Sequence, residues 1–148
     1  MRWGLFGAAG VLFRHHHPEH GWRYLLQLRG HRTHQGGTWG VPGGALDEGE
    51  DPVDGALREA GEELGDVPEG RVDGAFRHQV AEDWCYTTII CTVEEAFAAD
   101  ISHWETAAAR WVTAAEAEDL PLHPAFAEAL PEILATAEGL SPDRFSLE

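Results

Sequence analysis

The sequence predicts an α/β protein in which a mixed β-sheet is covered by helices on both faces. Apolar and β-branched segments typical of strands alternate with segments whose apolar residues recur at three- and four-residue steps. Alternating strands and helices are expected to form layers around one sheet. With 148 residues and 43% apolar composition, the chain is expected to be a single domain over residues 1–148.

The first part of the chain is predicted to contain strands joined by polar loops. Leu5–Arg14 and Trp22–Arg29 are apolar, and the second is expected to be buried on both faces in its middle. Arg14–Gly21 between them is predicted to be a polar hairpin loop. Its histidines could bind a transition metal, but no spacing fixes a further ligand nearby, so a solvated loop is the preferred interpretation. Thr38–Val41 is a short strand before the Pro42-Gly43-Gly44 turn.

A helix is predicted to begin at Asp51-Pro52 and to end at Gly65. Asp can accept hydrogen bonds from free N–H groups of the first turn, and Pro suits the first helical position. Gly tolerates the left-handed conformation that closes a helix. One face is apolar and is formed by Val53, Ala56, Leu57, Ala60 and Leu64.

The remaining chain again alternates strands and helices. Arg71–Val80 and Asp83–Val93 are predicted strands, and the second is rich in β-branched and aromatic residues. A further strand is expected to end at Arg110-Trp111-Val112. Thr113 is three residues before Glu116, the spacing of a capping box for a short helix.

A final helix is predicted over Pro124–Ala137, with one apolar side and despite Pro131 in its interior. The tail from about residue 138 is expected to fray.

The formal charge of −16 makes a nucleic-acid polymer an unsuitable partner, because phosphate backbones require basic surfaces. A small nucleotide that arrives with its own Mg²⁺ is compatible with this charge. No stretch is long enough to span a membrane. Cys85 and Cys91 lie too far apart along one predicted strand to bridge, which favours reduced thiols and a cytoplasmic location. The sequence leaves a monomer and a homodimer both open.

Three carboxylates dominate one side of the predicted first helix. Glu59, Glu62 and Glu63 follow an i, i+3, i+4 spacing and project from one patch. Like charges at this spacing cost roughly 0.2–0.5 kcal/mol per pair on an exposed helix. A hard divalent cation would reverse the sign, since it prefers oxygen ligands. A solvated acidic face is the simpler alternative. An EF-hand loop is excluded, because its ligand alternation and sixth-position Gly do not fit residues 47–51.

At these residues the sequence resembles the Nudix hydrolase family. The family shares a short sequence motif, the Nudix box. Two positions depart from this box, because Ala60 and Asp66 stand where aliphatic residues are usual. Both are packing positions, so the departures concern local stability more than chemistry. The preceding Trp39-Gly40-Val41-Pro42-Gly43 also resembles the segment that leads into the box. The matching positions, all at the family's spacing, are Gly44, Glu50, Arg58, Glu59, Glu62, Glu63 and Gly65.

The resemblance implies a Nudix-type α/β/α sandwich and hydrolysis of a nucleoside diphosphate linked to another group, with Mg²⁺ or Mn²⁺ as cofactor. Glu59 or a distal glutamate would be the base, and Glu105 is the distal candidate. Arg58 would orient Glu50 or a ligand glutamate through charge-assisted hydrogen bonds. The implied metal ligands are the Gly43 carbonyl, Glu59, Glu62, Glu63 and Glu105.

Substrate contacts follow from the same resemblance. Similar enzymes use an Arg at the place of Arg29, and the Gly43-Gly44 turn lets backbone approach a ligand. The chain has no Asn to grip a base, so Asp119 or His123 would substitute. Trp84, Tyr86 or Trp104 could stack on a base, although core packing is commoner for such residues.

The resemblance favours a nucleotide-pool-cleaning enzyme that cleaves a triphosphate, including an oxidised purine nucleotide. ADP-ribose hydrolysis, dinucleoside polyphosphate hydrolysis and non-catalytic nucleotide sensing are the alternatives. The Pro of the ADP-ribose branch is missing at residues 80–83, and Tyr86 is displaced from the Tyr position of the dinucleoside branch. A sensor would commonly lack box carboxylates, and all of them are present here.

Overall fold

A computed structural model describes residues 7–32, 35–81, 84–101 and 106–139, except the side chains of residues 81 and 84. The strands are β1 (Ala8–His17), β2 (Gly21–Arg29), β3 (Trp39–Gly40), β4 (Gly43–Ala45), β5 (Arg71–Ala81), β6 (Trp84–Thr92) and β7 (Thr106–Val112). The helices are α1 (Pro52–Leu64), α2 (Ala114–Glu118) and α3 (Pro124–Gly139).

The strands form one mixed sheet, as predicted. Its central order is β3-β2-β1-β6-β5, with β4 paired to β1 and β7 paired to β2. β1 and β6 run parallel, and the other pairs are antiparallel. Because β4 and β6 both pair with Ala8–Gly10, they lie on opposite edges of β1.

The sheet has a hydrophobic core on each face. On one face, α1 packs its buried residues against the odd-numbered residues of β1: Ala9, Val11 and Phe13. On the other, α2 and α3 cover a second cluster that includes Leu12, Tyr24 and Leu26. Successive side chains of a strand point to opposite faces, which explains the division. The result is an α/β/α sandwich.

The helix ends follow the predicted capping. The Asp51 side chain accepts a hydrogen bond from the Val53 N–H at 2.8 Å, and Gly65 ends α1 with φ of 82°. Thr113 and Glu116 form the reciprocal capping box of α2. In the described part of the chain, no helix is long and apolar enough to cross a membrane. Fraying is predicted from about residue 138, but α3 continues through Gly139, and the rest of the tail lies outside the described residues.

The hairpin loop predicted over Arg14–Gly21 is wrong in extent, because β1 continues to His17. Backbone pairing with β2, at His15↔Arg23 and His16↔Trp22, keeps the polar residues in the strand. The His17 Nδ1 atom accepts hydrogen bonds from the N–H groups of Glu19 and His20 and so closes a shorter turn. That atom is therefore occupied within the turn.

A second correction concerns Arg14. The sequence predicts that this residue begins the loop, but it is buried and only 1% exposed. Its guanidinium donates to the Ala137 carbonyl of α3 at 2.8 Å and to Thr92 Oγ1 at 2.9 Å. It also pairs with Asp73 at 3.4 Å and lies over the Trp22 ring. Burial lowers the pKa of Arg14, and the hydrogen bond that Arg14 donates to Asp73 opposes that shift. These partners allow a charge inside the sandwich.

β4 is an element that the sequence does not predict. The sequence predicts a turn at Pro42-Gly43-Gly44, yet Gly43–Ala45 pairs with β1 at Ala8↔Ala45, Ala9↔Gly44 and Gly10↔Gly43. Gly and Ala have weak strand propensity, so this strand depends on its long-range partner. The pairing places the Gly-Gly backbone directly beneath α1.

Candidate functional site

The candidate site lies where the carboxylates of α1 meet the Gly43-Gly44 backbone. The Gly43 N–H donates a hydrogen bond to Glu63 Oε2 at 3.1 Å. The other carboxylate oxygen, Oε1, accepts from Gln27 Nε2 at 2.7 Å. Glu63 is thus fixed by one strand, β2, and by the first residue of β4.

Glu59 lies against the next residue of the same strand. A Cβ placed on Gly44 would be 2.5 to 2.7 Å from the three carboxyl-group atoms of Glu59. Real Cβ atoms do not approach other atoms so closely, so any other residue at this position would displace the Glu59 carboxylate. Consecutive residues of β4, Gly43 and Gly44, therefore lie against the carboxylates of Glu63 and Glu59.

Arg58 connects the carboxylates of α1 to the loop that precedes the helix. Its guanidinium binds Glu50 through two hydrogen bonds, Nε to Oε2 at 2.9 Å and Nη2 to Oε1 at 3.0 Å. Its Nη1 atom donates to Glu59 at 3.1 Å and to Glu62 at 3.3 Å. Both predicted partnerships of Arg58, with Glu50 and with candidate ligand glutamates, are present. The two-pronged geometry suits a planar guanidinium specifically.

This pairing controls the charge of Glu50. The hydrogen bond from Arg58 lowers the pKa of Glu50 to about 2, and the Asp47 N–H contributes further. The same contacts raise the pKa of Arg58 above its ordinary value. Glu50 and Arg58 are therefore both charged throughout the neutral range.

The Glu50–Arg58 pair is expected to make the free energy of unfolding depend on pH in the acid range. A depressed pKa stabilises the fold above the ordinary carboxyl value of 4.5, and that contribution is lost as pH falls toward about 2. In urea unfolding, Glu50→Gln should cost free energy of unfolding near neutral pH and progressively less in acid. Glu48→Gln, an exposed carboxylate of the same loop, is the matched control. A Glu50→Gln deficit that stays constant with pH would contradict this linkage.

Glu62 is the most exposed of the three glutamates, with 58% of its side chain accessible, and it turns toward Arg58. Within the described ranges, no three His, Cys, Asp or Glu side chains converge on one point as metal ligands would. The donor set nevertheless fits a hard divalent cation, because it consists of carboxylate and backbone oxygens around a glycine turn. A further oxygen, Gln27 Oε1, is buried and has no hydrogen-bond partner among the described residues.

Sequence reasoning missed Gln27, and it assigned Tyr86 only a possible stacking role. Gln27 is 2% exposed, and its amide orients Glu63. A lone amide inside the apolar segment Trp22–Arg29 was the signal that could have identified it. Tyr86 approaches Gly43 with its hydroxyl, and the charges of Glu63, Arg29 and Glu59 all act on it.

The other predicted site residues are less concentrated. Arg29 lies near enough to Tyr86 to act on its phenol. His123 sits at the start of α3, where its Nδ1 accepts from the Ala125 N–H at 3.1 Å. Asp119 is an exposed residue at the end of α2. In the described part of the chain, the structure does not bring it together with the carboxylates of α1. Glu105 and the side chain of Trp84 lie outside the described residues, as does Trp104.

A family model described as NUDIX domain matches residues 6–133. The chain is 42% identical over 132 residues to a Mycobacterium tuberculosis protein named "Putative 8-oxo-dGTP diphosphatase 3". The match covers 84% of this chain and 60% of that protein, so the chain spans well under the full length of this curated relative.

Solved structures share the fold. A Nudix hydrolase from Mycobacterium smegmatis, RenU, is 38% identical with a TM-score of 0.75, over 91% of this chain and 89% of that one. An Ap4A hydrolase from Caenorhabditis elegans has a TM-score of 0.71 at 18% identity, over 89% of this chain and 98% of its own. At that identity the second similarity concerns the fold alone. The α/β/α architecture implied by the sequence is confirmed.

Proposed function

The chain belongs to the NUDIX family, and we propose that it hydrolyses a nucleoside triphosphate to the monophosphate and pyrophosphate with the help of Mg²⁺ or Mn²⁺. One observation carries the proposal. Glu59 and Glu63 lie against the consecutive glycines of β4, and Arg58 joins the α1 carboxylates to Glu50. Acidic groups gathered beside backbone without side chains suit cation-assisted binding of a pyrophosphate.

In this mechanism, Glu59, Glu62 and Glu63 would hold the cations, and the Gly43 carbonyl and Glu105 are further candidate ligands. When bound, Mg²⁺ or Mn²⁺ would supply positive charge that neutralises phosphate oxygens and polarises the phosphorus centre. Gln27 and the Gly43 N–H fix the Glu63 carboxylate before substrate arrives.

Two further roles complete the proposal. Glu59 or Glu105 accepts the proton of the attacking water, and Arg29 contacts the substrate's phosphates. Phosphoryl transfer depends mainly on positioning and electrostatics, so few other groups are required.

An oxidised purine nucleotide is the proposed substrate class, since the mycobacterial relative is named for 8-oxo-dGTP. A row of partly exposed aromatic side chains offers a surface for a base. His78 stacks with Phe76 at 5.9 Å and approaches Tyr86 at 6.0 Å between ring centroids. Burial lowers the pKa of His78, and both ring nitrogens are buried without a partner in the described structure. Because its ring nitrogens are buried, His78 offers the face of a neutral ring for stacking rather than a hydrogen bond to the base.

Release of phosphate or pyrophosphate from a panel of compounds tests the proposal. The panel contains canonical and 8-oxo nucleoside triphosphates, ADP-ribose and a dinucleoside polyphosphate, each with and without Mg²⁺. We expect Mg²⁺-dependent turnover that is fastest on a triphosphate. Preferred cleavage of ADP-ribose or of the dinucleoside compound would move the assignment to those classes. Binding that raises the melting temperature without any turnover would indicate a nucleotide sensor.

A cytoplasmic location is part of the proposal. Cys85 and Cys91 are both free thiols, and free thiols are stable in a reducing compartment. Small nucleotides are the proposed partners, whereas nucleic-acid polymers are not, given the net charge of −16. The monomer and the homodimer are both compatible with this function.

A further inference from the structure

Two glycines face each other in the sheet beside the candidate site. Gly10 of β1 pairs with Gly43 of β4. A Cβ at either position would overlap the hydroxyl of Tyr86. Tyr86 belongs to β6, on the opposite edge of β1 from β4. Its side chain therefore reaches across β1 and ends in the space that the two absent side chains leave.

The Tyr86 hydroxyl lies on the α3-side face of the sheet, because Tyr86 pairs with Ala8 and so points to the same face as Gly10 and Leu12. Phe76, in the aromatic row with Tyr86, packs against the core on the α3 side, whereas Glu59 and Glu63 project from α1 on the other side. Burial raises the pKa of the Tyr86 phenol far above its ordinary value, and the charge of Glu63 adds to that shift. Tyr86 therefore carries a neutral hydroxyl beside the Gly43 backbone that holds Glu63.

Through its contact with Gly43, the Tyr86 hydroxyl affects the position of the Glu63 carboxylate. The Gly43 N–H holds Glu63 Oε2, and the Pro42 carbonyl accepts from the Val11 N–H at 2.9 Å, so this turn is tied to β1. Removing the phenolic oxygen would leave a gap over β1, between Gly10 and Gly43. Such a gap loses packing contacts on all sides and lets its lining shift.

We propose that Tyr86 is a positioning residue for the cation-binding site: its hydroxyl fixes the backbone at Gly43, and Gly43 orients the Glu63 carboxylate. The inference rests on the proposed function, because it assumes that Glu63 holds a divalent cation. Gly10 contributes to the same arrangement, since a Cβ at this position would overlap the tyrosine hydroxyl where the side chain crosses β1.

Calorimetric titration of the full chain with Mn²⁺, in the absence of nucleotide, tests the proposal. Loss of a group that orients a metal ligand typically weakens metal binding about 10- to 100-fold, and Tyr86→Phe should weaken Mn²⁺ binding at least about 10-fold. Tyr24→Phe is the matched control, because it removes the same atom from the chain's other tyrosine, in the α3-side core. That variant should bind Mn²⁺ as the unmodified chain does.

The outcomes separate the two levels of inference. An unmodified chain that does not bind Mn²⁺ would overturn both the proposed function and the role of Tyr86. Binding that is unchanged in Tyr86→Phe would overturn only the role of Tyr86. Equal weakening in Tyr86→Phe and Tyr24→Phe would also overturn it, because the effect would then reflect general loosening of the fold.

Fluorine NMR provides a second measurement that does not depend on the stability of Tyr86→Phe. The chain contains 2 tyrosines, so incorporation of fluorotyrosine gives two resonances, which Tyr24→Phe assigns. Titration with Mg²⁺ should shift the Tyr86 resonance and leave the Tyr24 resonance in place. A Tyr86 resonance that stays fixed while Mg²⁺ binds contradicts the proposal.

Discussion

Replacing Glu63 with Gln is expected to lower Mg²⁺-dependent turnover on the order of 100-fold or more without unfolding the protein. A bound divalent cation contributes several kcal/mol to stabilising developing charge. Each loss of about 1.4 kcal/mol slows a reaction tenfold. The amide keeps the shape of the carboxylate, but it removes the negative charge and places an NH₂ group opposite one of two donors, Gln27 Nε2 or the Gly43 N–H. Steady-state kinetics across Mg²⁺ concentrations measures the effect.

Two related variants complete this experiment. Glu62→Gln should also lose turnover on the order of 100-fold, since Glu62 is a proposed ligand once it leaves Arg58. Asp54→Asn also removes one negative charge, but Asp54 lies in the first turn of the same helix, away from Gly43 and Gly44. This variant should remain active. Melting temperatures establish that all three variants are folded. Normal turnover in Glu63→Gln would remove the cation mechanism.

Arg58→Gln is expected to reduce kcat roughly 10- to 100-fold, the range typical of groups that orient metal ligands. Without the guanidinium, Glu50, Glu59 and Glu62 lose their shared partner and repel one another. Arg58→Lys restores the charge without the two parallel hydrogen bonds to Glu50. It should therefore recover part of the thermal stability but little of the kcat.

Arg110→Gln is the matched control for Arg58, because its ion pair with Glu116 is long, at 3.6 Å, and exposed. Exposed pairs of this kind contribute about 0–1 kcal/mol, so kcat and melting temperature should change little. If Arg58→Lys were as active as the unmodified chain, charge alone would explain the role of Arg58, and the two-pronged geometry would be irrelevant.

Local chemistry made most elements of the fold predictable. The caps at Asp51, Gly65 and Thr113 are read from neighbouring residues, and the structure contains each of them. β4 and the buried Arg14 were not predictable in this way. Each depends on groups far away in sequence: β1 for β4, and Asp73, Thr92 and Ala137 for Arg14.

The candidate site divides along the same line. Residues of the box lie on one helix and its preceding turn, so spacing alone brought Arg58 together with its carboxylates. Gln27 is separated from Glu63 by 36 residues, and no local pattern links them. Tyr86 reaches Gly43 only because β6 and β4 flank the same strand. Groups that surround the box could be found only from the sheet's strand order.

The parallel pairing of β1 with β6 also orders events during synthesis. β1 leaves the ribosome early, yet one of its edges remains open until residues 84–92 have emerged. Until then, the edge of β1 stays unpaired, and side chains that the folded protein buries, including Val11 and Phe13, are accessible to any other extended chain. Nascent chains stalled before residue 84 should therefore be strong chaperone substrates, and those stalled well beyond residue 92 should not.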